Sequence, residues 1–282
     1  KQIPSKPQFE KVDYTGADIQ DPVAGVYTNI GILDVKAMYH SNVKLHNICW
    51  TTLDESGVDC GNGVKFAQKD GLLGRQMDNM TTLRNEYKKR MKEADNKNER
   101  RMYDALQYAT KSLVASMYGV AGDSKCGFYH PDIASAITFT SRQTLFKLRD
   151  IANEMGCAVK YGHTDSIMCE IESPEKGLEL LRTINERMSP IETQFEKWCE
   201  SFLIMAKNRY AAKVAWSDGE YHPAQIYIKG IEMKQGRLPK ALKSGMSRVI
   251  NGILDLDSED DITKDVENLV RSIVTKENDV TD

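Results

Sequence analysis

The six residues Tyr161-Gly162-His163-Thr164-Asp165-Ser166 constrain the fold more than any other stretch of the chain. They separate two short apolar runs, Cys157 to Val159 and Ile167 to Ile171. An acidic turn between strand-like segments reads as a hairpin with a carboxylate at its tip. Such an Asp has two readings. Its side chain can bond the nearby backbone, which is ordinary turn chemistry. It can also serve a hard cation, which takes one or two protein carboxylates together with substrate phosphates. Two other segments supply what the second reading needs.

The first is Gly31-Ile32-Leu33-Asp34-Val35-Lys36-Ala37-Met38-Tyr39-His40-Ser41. The apolar run from Val26 to Leu33 reads as a buried strand. It ends at Asp34, where a carboxylate is placed to meet one from a neighbouring hairpin. Asp34 and Asp165 are far apart in sequence, so only a fold that pairs their strands makes a site. Asp34 has a second reading as a helix N-cap, with Lys36 to Tyr39 as the first turn.

The second segment is a pair of helical patterns, about 72–94 and 98–119, joined by the short polar connection Asp95-Asn96-Lys97-Asn98. Such a connection predicts an antiparallel helical hairpin. Gly119 and Gly122 give its stop signals. Arg84 and Lys88 are four apart and share a face. With Lys111 they form a cationic surface suited to a polyanion such as a triphosphate. Glu86, Glu93, Asp95 and Glu99 are interleaved with these cations, so a solvated charged face is the other reading.

Further strands are expected at Val159 to Tyr161, Ser166 to Ile171, Phe202 to Ala206 and Ile226 to Ile231. Helices are expected at about 133–155, 175–189, 191–200, from Pro239 through about Leu256, and from Ile262 to Lys276. Few strands are joined by parallel crossovers, so the fold class is α+β, an antiparallel sheet bearing a helical hairpin. No apolar run approaches the roughly 18 residues of a membrane span, and Lys1 to Lys11 carries no signal-peptide core. The six cysteines form no C-x-x-C pair and read as reduced thiols in a cytosolic protein. A net charge of −3 argues mildly against nucleic acid. Charge distribution argues the other way, since Arg84 to Arg101 holds eight Lys/Arg against four acids.

In order, these segments resemble the polymerase core of the family B DNA polymerases, nearest to the replicative enzymes of tailed bacteriophages. The family's D-x-x-S-L-Y-P-S matches Asp34 to Ser41, with Asp34, Tyr39 and Ser41 retained. K-x-x-x-N-S-x-Y-G matches Lys111 to Gly119, with Lys111, Ser116, Tyr118 and Gly119 retained. Y-x-D-T-D-S matches Tyr161 to Ser166, with Tyr161, Thr164, Asp165 and Ser166 retained. Tyr14 to Ala17 resembles the Y-x-G-G/A linker segment. Lys207 to Tyr210 resembles K-x-x-Y, and Lys229 to Glu232 resembles K-G-x-E. The departures are Ala115 for Asn in the second motif, Ala37 and His40 for Ser and Pro in the first, and His163 for the first Asp of the third.

The resemblance implies a 1–24 linker segment, a palm over 25–71 and 121–235 with an antiparallel sheet, helical-hairpin fingers over 72–120, and the start of a helical thumb over 236–282. It implies two-metal nucleotidyl transfer from dNTPs to a primer 3′-hydroxyl. Asp34, Asp165 and the Val35 carbonyl would hold two Mg²⁺, for which Mn²⁺ substitutes. Arg84, Lys88 and Lys111 would neutralise the phosphates, Tyr39 would exclude a 2′-hydroxyl, and Tyr118 would line the nascent base pair. Lys207, Tyr210, Lys229 and Thr164 would contact the primer–template DNA. The absence of Asn at Ala115 removes one expected nucleotide contact. The resemblance further implies an exonuclease and full thumb supplied by further domains or a partner chain, and a phage- or prophage-encoded protein in a bacterial cytoplasm.

Two rival classes remain. A catalytically incomplete DNA-binding subunit of a split or truncated polymerase predicts duplex binding without turnover. A nucleotide cyclase also sets paired carboxylates on a sheet, but it needs neither the Lys111-to-Gly119 helix nor the Lys207-to-Tyr210 segment.

Overall fold

The protein, seen as a computed structural model, is described over residues 9–231 and 239–274. The first eight residues of the linker, Glu232 of the K-G-x-E match and Lys276 lie outside the described residues. The chain forms two compact units, one of residues 1–17 and 36–144, the other of 18–35 and 145–282.

The second unit is built on a six-stranded sheet in the order β4-β5-β1-β6-β7-β8, every pair antiparallel. Its strands are β1 (Gly25–Val35), β4 (Val159–His163), β5 (Ser166–Glu170), β6 (Thr193–Ala206), β7 (Arg209–Ser217) and β8 (Glu220–Lys229). One core includes Ile30, Ile32, Tyr161, Met168, Cys199, Phe202, Ile204 and Tyr210. A buried aliphatic or aromatic side chain of this kind contributes about 1.5–3 kcal/mol. Helix α5 (Pro174–Met188) packs on β1 and β6. Its Ser173 cap accepts from the Lys176 N–H, and Gly177 leaves room for the Phe195 ring, with which a Cβ would overlap. Helix α6 (Lys240–Asp255) lies against β6 and β7, where Lys213 reaches Asp255 at 2.9 Å and Glu200 at 3.2 Å. Helix α7 (Glu259–Val274) packs on α6.

The first unit holds α1 (Met38–Leu45), the small ribbon of β2 (Leu53–Asp59) and β3 (Lys65–Phe66), and the hairpin of α2 (Leu72–Glu93) and α3 (Lys97–Gly122). Helix α4 (Pro131–Glu154) gives its first residues to this unit and its last to the other. Asn96 starts α3 by accepting from the Asn98 and Glu99 N–H groups. The core gathers Val43, Ile48, Phe66, Leu73, Met77 and Ile133.

Three local expectations are corrected. Residues 191–200 are not helical; they open β6, because Thr193, Phe195, Cys199 and Ser201 alternate inward against exposed Glu196 and Glu200. That is the period of a strand. Asp34 is not an N-cap: it lies in β1, and α1 starts after a left-handed Ala37. Helix α3 runs past Gly119 and stops at Gly122. Strand β7 and the β2–β3 ribbon are additions to the expected elements. All six cysteines are free, and no helix among the described residues is long and apolar enough to cross a membrane.

Candidate active site

Strand β1 is central, so Asp34 at its end pairs with Ser166 of β5 on one side and Gln194 of β6 on the other. The β4–β5 hairpin turns through Thr164 and Asp165. The Val35 N–H donates to the Asp165 carbonyl at 2.8 Å, which fastens the tip of the hairpin to the end of β1. The two carboxylates predicted from distant segments are thereby brought together. Thr164 sits in the left-handed region at φ 52°, a strained conformation for a β-branched residue. It is held there by its N–H bond to the Asp18 carbonyl at 3.0 Å, and Asp18 is itself paired with Arg149 at 2.8 Å.

Both carboxylates are raised. Burial pushes Asp34 up to about 7, with further repulsion from Asp165 and Glu196. The Gln194 amide, donating to Asp34 Oδ1 at 3.0 Å, and Lys197 pull it back only in part. Burial is also the main cause of the rise at Asp165, opposed by a backbone hydrogen bond, His163 and Lys229. His163 is lowered, first by burial and then by Lys229. Two half-buried carboxylates that resist ionisation form a place where a cation is worth most. Among the described residues no three His, Cys, Asp or Glu converge as a metal cage. The donors on hand, the two carboxylates, are hard oxygens. Such oxygens suit a hard divalent cation.

Around this pair, Lys229 lies with its ammonium 5.5 Å over the Tyr210 ring and acts electrostatically on Asp165 and His163. Tyr210 itself is only 3% exposed, stacked on Phe202 at 5.0 Å, so its role is a platform under Lys229. Lys207 is paired with exposed Asp21 at 2.5 Å. Gly230, at φ 68°, lets the Asn208 carbonyl approach into the space a Cβ would fill.

The other predicted residues belong to the first unit. Arg84, Lys88 and Lys111 do cluster: burial lowers Lys88, and Arg84, Lys111 and Lys92 lower it further by repulsion. Two of the interleaved acids are engaged elsewhere, Glu86 with Arg90 and Glu93 with Lys89. Among the described residues none of Arg84, Lys88 and Lys111 is ion-paired, and Arg84 Nε is buried without a partner. Tyr39 and Tyr118 meet with ring centroids 4.7 Å apart. Tyr118 is half-buried and hydrogen-bonded to Tyr14, and both raise its phenol.

A sequence profile described as DNA polymerase family B matches residues 2–282. The chain belongs to DNA polymerase family B. The DNA polymerase alpha catalytic subunit of Mus musculus is 29% identical over 287 residues, 94% of this chain and 19% of the mouse protein. The DNA polymerase delta catalytic subunit of Mesocricetus auratus is 28% identical over 78% of this chain and 23% of its own length. DNA polymerase 1 of Sulfolobus acidocaldarius is 27% identical over 88% of this chain and 29% of its own. The family B chain thus spans less than a third of each of these relatives. They are eukaryotic and archaeal, and the expected phage origin draws no support from them.

Four residues that shape the family B site escape the sequence reading. Gln194, Glu196 and Lys197 are hidden by the helix expected at 191–200; the alternation of Thr193, Phe195 and Cys199 is the signal for the strand that carries them. Asp18, which holds Thr164, lies in a segment with no periodic pattern.

Proposed function

We propose that this chain carries the nucleotidyl-transfer centre of a DNA-directed DNA polymerase. The observation that carries the reading is the juxtaposition of Asp34 and Asp165 at the end of β1, both raised by burial and Asp34 also by repulsion from Asp165. Asp34, Asp165 and the Val35 carbonyl would hold divalent cations, Mg²⁺ or Mn²⁺. Bound there, such ions activate a primer 3′-hydroxyl and neutralise the leaving pyrophosphate.

The chain's own residues do the rest. Arg84, Lys88 and Lys111 offer positive charge to a dNTP triphosphate, and phosphoryl transfer depends chiefly on such electrostatic stabilisation. Tyr39, held against Tyr118, blocks a 2′-hydroxyl, and Tyr118 borders the nascent base pair. Thr164 holds the turn that aims Asp165 and contacts DNA there. Lys229, supported by Tyr210, and Lys207 approach the primer–template backbone. In this reading 1–24 is a linker, 25–71 and 121–235 are palm, 72–120 are fingers, and residues from 236 belong to a thumb.

The test is single-nucleotide incorporation on a primed template with Mg²⁺ and each dNTP in turn. The reading expects the templated dNTP to be incorporated far faster than the other three. Equal use of all four, or cyclisation of a nucleotide without DNA, would contradict it. Duplex binding with no incorporation would favour a DNA-binding subunit that needs a partner chain or further domains.

A further inference from the structure

Helix α1 is eight residues long, and two adjacent side chains on it reach the two arms of the α2–α3 hairpin. Successive residues on a helix point about 100° apart, so neighbours can serve different partners. Tyr39 goes to Tyr118 of α3. His40 goes to α2, with Nε2 3.0 Å from Asp78 Oδ1 and Nδ1 3.5 Å from the Thr81 hydroxyl. Lys44, one turn further along α1, closes on the same carboxylate at 3.0 Å. The His40 side chain is only 10% exposed. An ionised Asp78 accepts only, so Nε2 carries the ring proton and Nδ1 accepts from Thr81. Burial, with Lys44 beside it, lowers His40 against the pull of Asp78, which favours the neutral ring.

The partners of His40 share a helix with the cations of the proposed nucleotide site. Thr81 and Lys88 are seven apart, two turns, and lie on one stripe of α2; Arg84 stands between them. Whatever fixes the rotation of α2 at Thr81 fixes the direction of Lys88. The motif that Asp34 to Ser41 resembles carries Pro at position 40, and a proline side chain has no donor for such a clasp.

We propose that His40 is a positioning residue: clasped to Asp78 and Thr81, it sets the rotation of α2 so that Lys88 and Arg84 face the nucleotide phosphates while Tyr39, on the same turn of α1, faces the sugar. The inference rests on the polymerase reading above.

Two measurements keep the two apart. Affinity for the templated dNTP is measured at equilibrium on a dideoxy-ended primer–template with Mg²⁺, where no chemistry occurs, and primer extension is followed in parallel. His40→Ala and Asp78→Ala are each expected to weaken nucleotide binding about tenfold while leaving kcat near the parent value. The double variant should be no worse than either single one, because both break one clasp. His40→Gln, which keeps a donor at nearly the same reach, should restore binding. Affinity within twofold of the parent in His40→Ala, losses that multiply in the double variant, or no rescue by Gln would overturn the inference. Should the alanine variant fail to fold, His40→Phe, which keeps the ring and removes the donor, set beside His40→Gln gives the same comparison. A parent that binds dNTP but never extends the primer would sink the polymerase reading and leave the clasp judged by the binding data. A parent that binds no nucleotide would sink both.

Discussion

The sheet unit and the hairpin unit are each electrostatically incomplete, and in opposite senses. The sheet gathers negative charge and partly buries it: Asp34 and Asp165 resist ionisation, and Glu196 adds to the repulsion at both. The hairpin gathers positive charge at Arg84, Lys88 and Lys111, none of them ion-paired among the described residues, while Glu86 and Glu93 pair with Arg90 and Lys89. A site meant only for stability would be expected to pair such groups internally. On the proposed reading, divalent cations would complete the sheet pair and nucleotide phosphates the hairpin cluster. The scaffolds differ accordingly. Asp34 stands in a hydrogen-bonded strand and Asp165 on a hairpin turn fastened to that strand, whereas the cations stand on long helices.

Three variants break or sharpen this contrast. Asp34→Asn removes a carboxylate from the sheet and is expected to cost at least about a thousandfold in primer extension with duplex affinity kept, by filter binding. Lys111→Ala touches the hairpin alone and is expected to lower kcat/KM for dNTP by roughly a hundredfold, by single-turnover kinetics. Tyr39→Ala should leave dNTP use largely intact but relax discrimination against ribonucleotides by about tenfold to a hundredfold, in paired dNTP and rNTP incorporation assays.

The smallest effect is on stability. Asp34 titrates near 7 when folded against 3.8 as a free carboxylate, so the folded state holds its proton more tightly. Stability is therefore lost as pH rises from about 4 to 7 and stays lost above. In thermal melts without divalent cations, Asp34→Asn should melt a few degrees above the parent at pH 8 and level with it near pH 4. Mg²⁺ should close the gap by stabilising the parent alone.

Much of this is legible in the sequence where period and punctuation agree. The run into Asp34, the acidic turn at Asp165 and the polar link Asp95 to Asn98 all mark elements that the structure contains. Residues 191–200 mislead because Lys197 interrupts the inward row of Thr193, Phe195, Cys199 and Ser201, and one of the two strands that flank them, β1, is far away in sequence. Burial is the other blind spot. Tyr210 is expected at the primer–template from its K-x-x-Y match, but β7 is an interior strand and turns it into the core. The clasp of His40 with Asp78 joins residues 38 apart, and no local pattern announces it.

Primer extension in Mg²⁺ with all four dNTPs, run side by side on the parent chain and Asp165→Asn, tests the central claim most directly. The account predicts extension by the parent, none by the variant, and equal duplex binding by both. Extension by Asp165→Asn at the parent's rate would contradict it, as would a parent that binds the duplex and never adds a nucleotide.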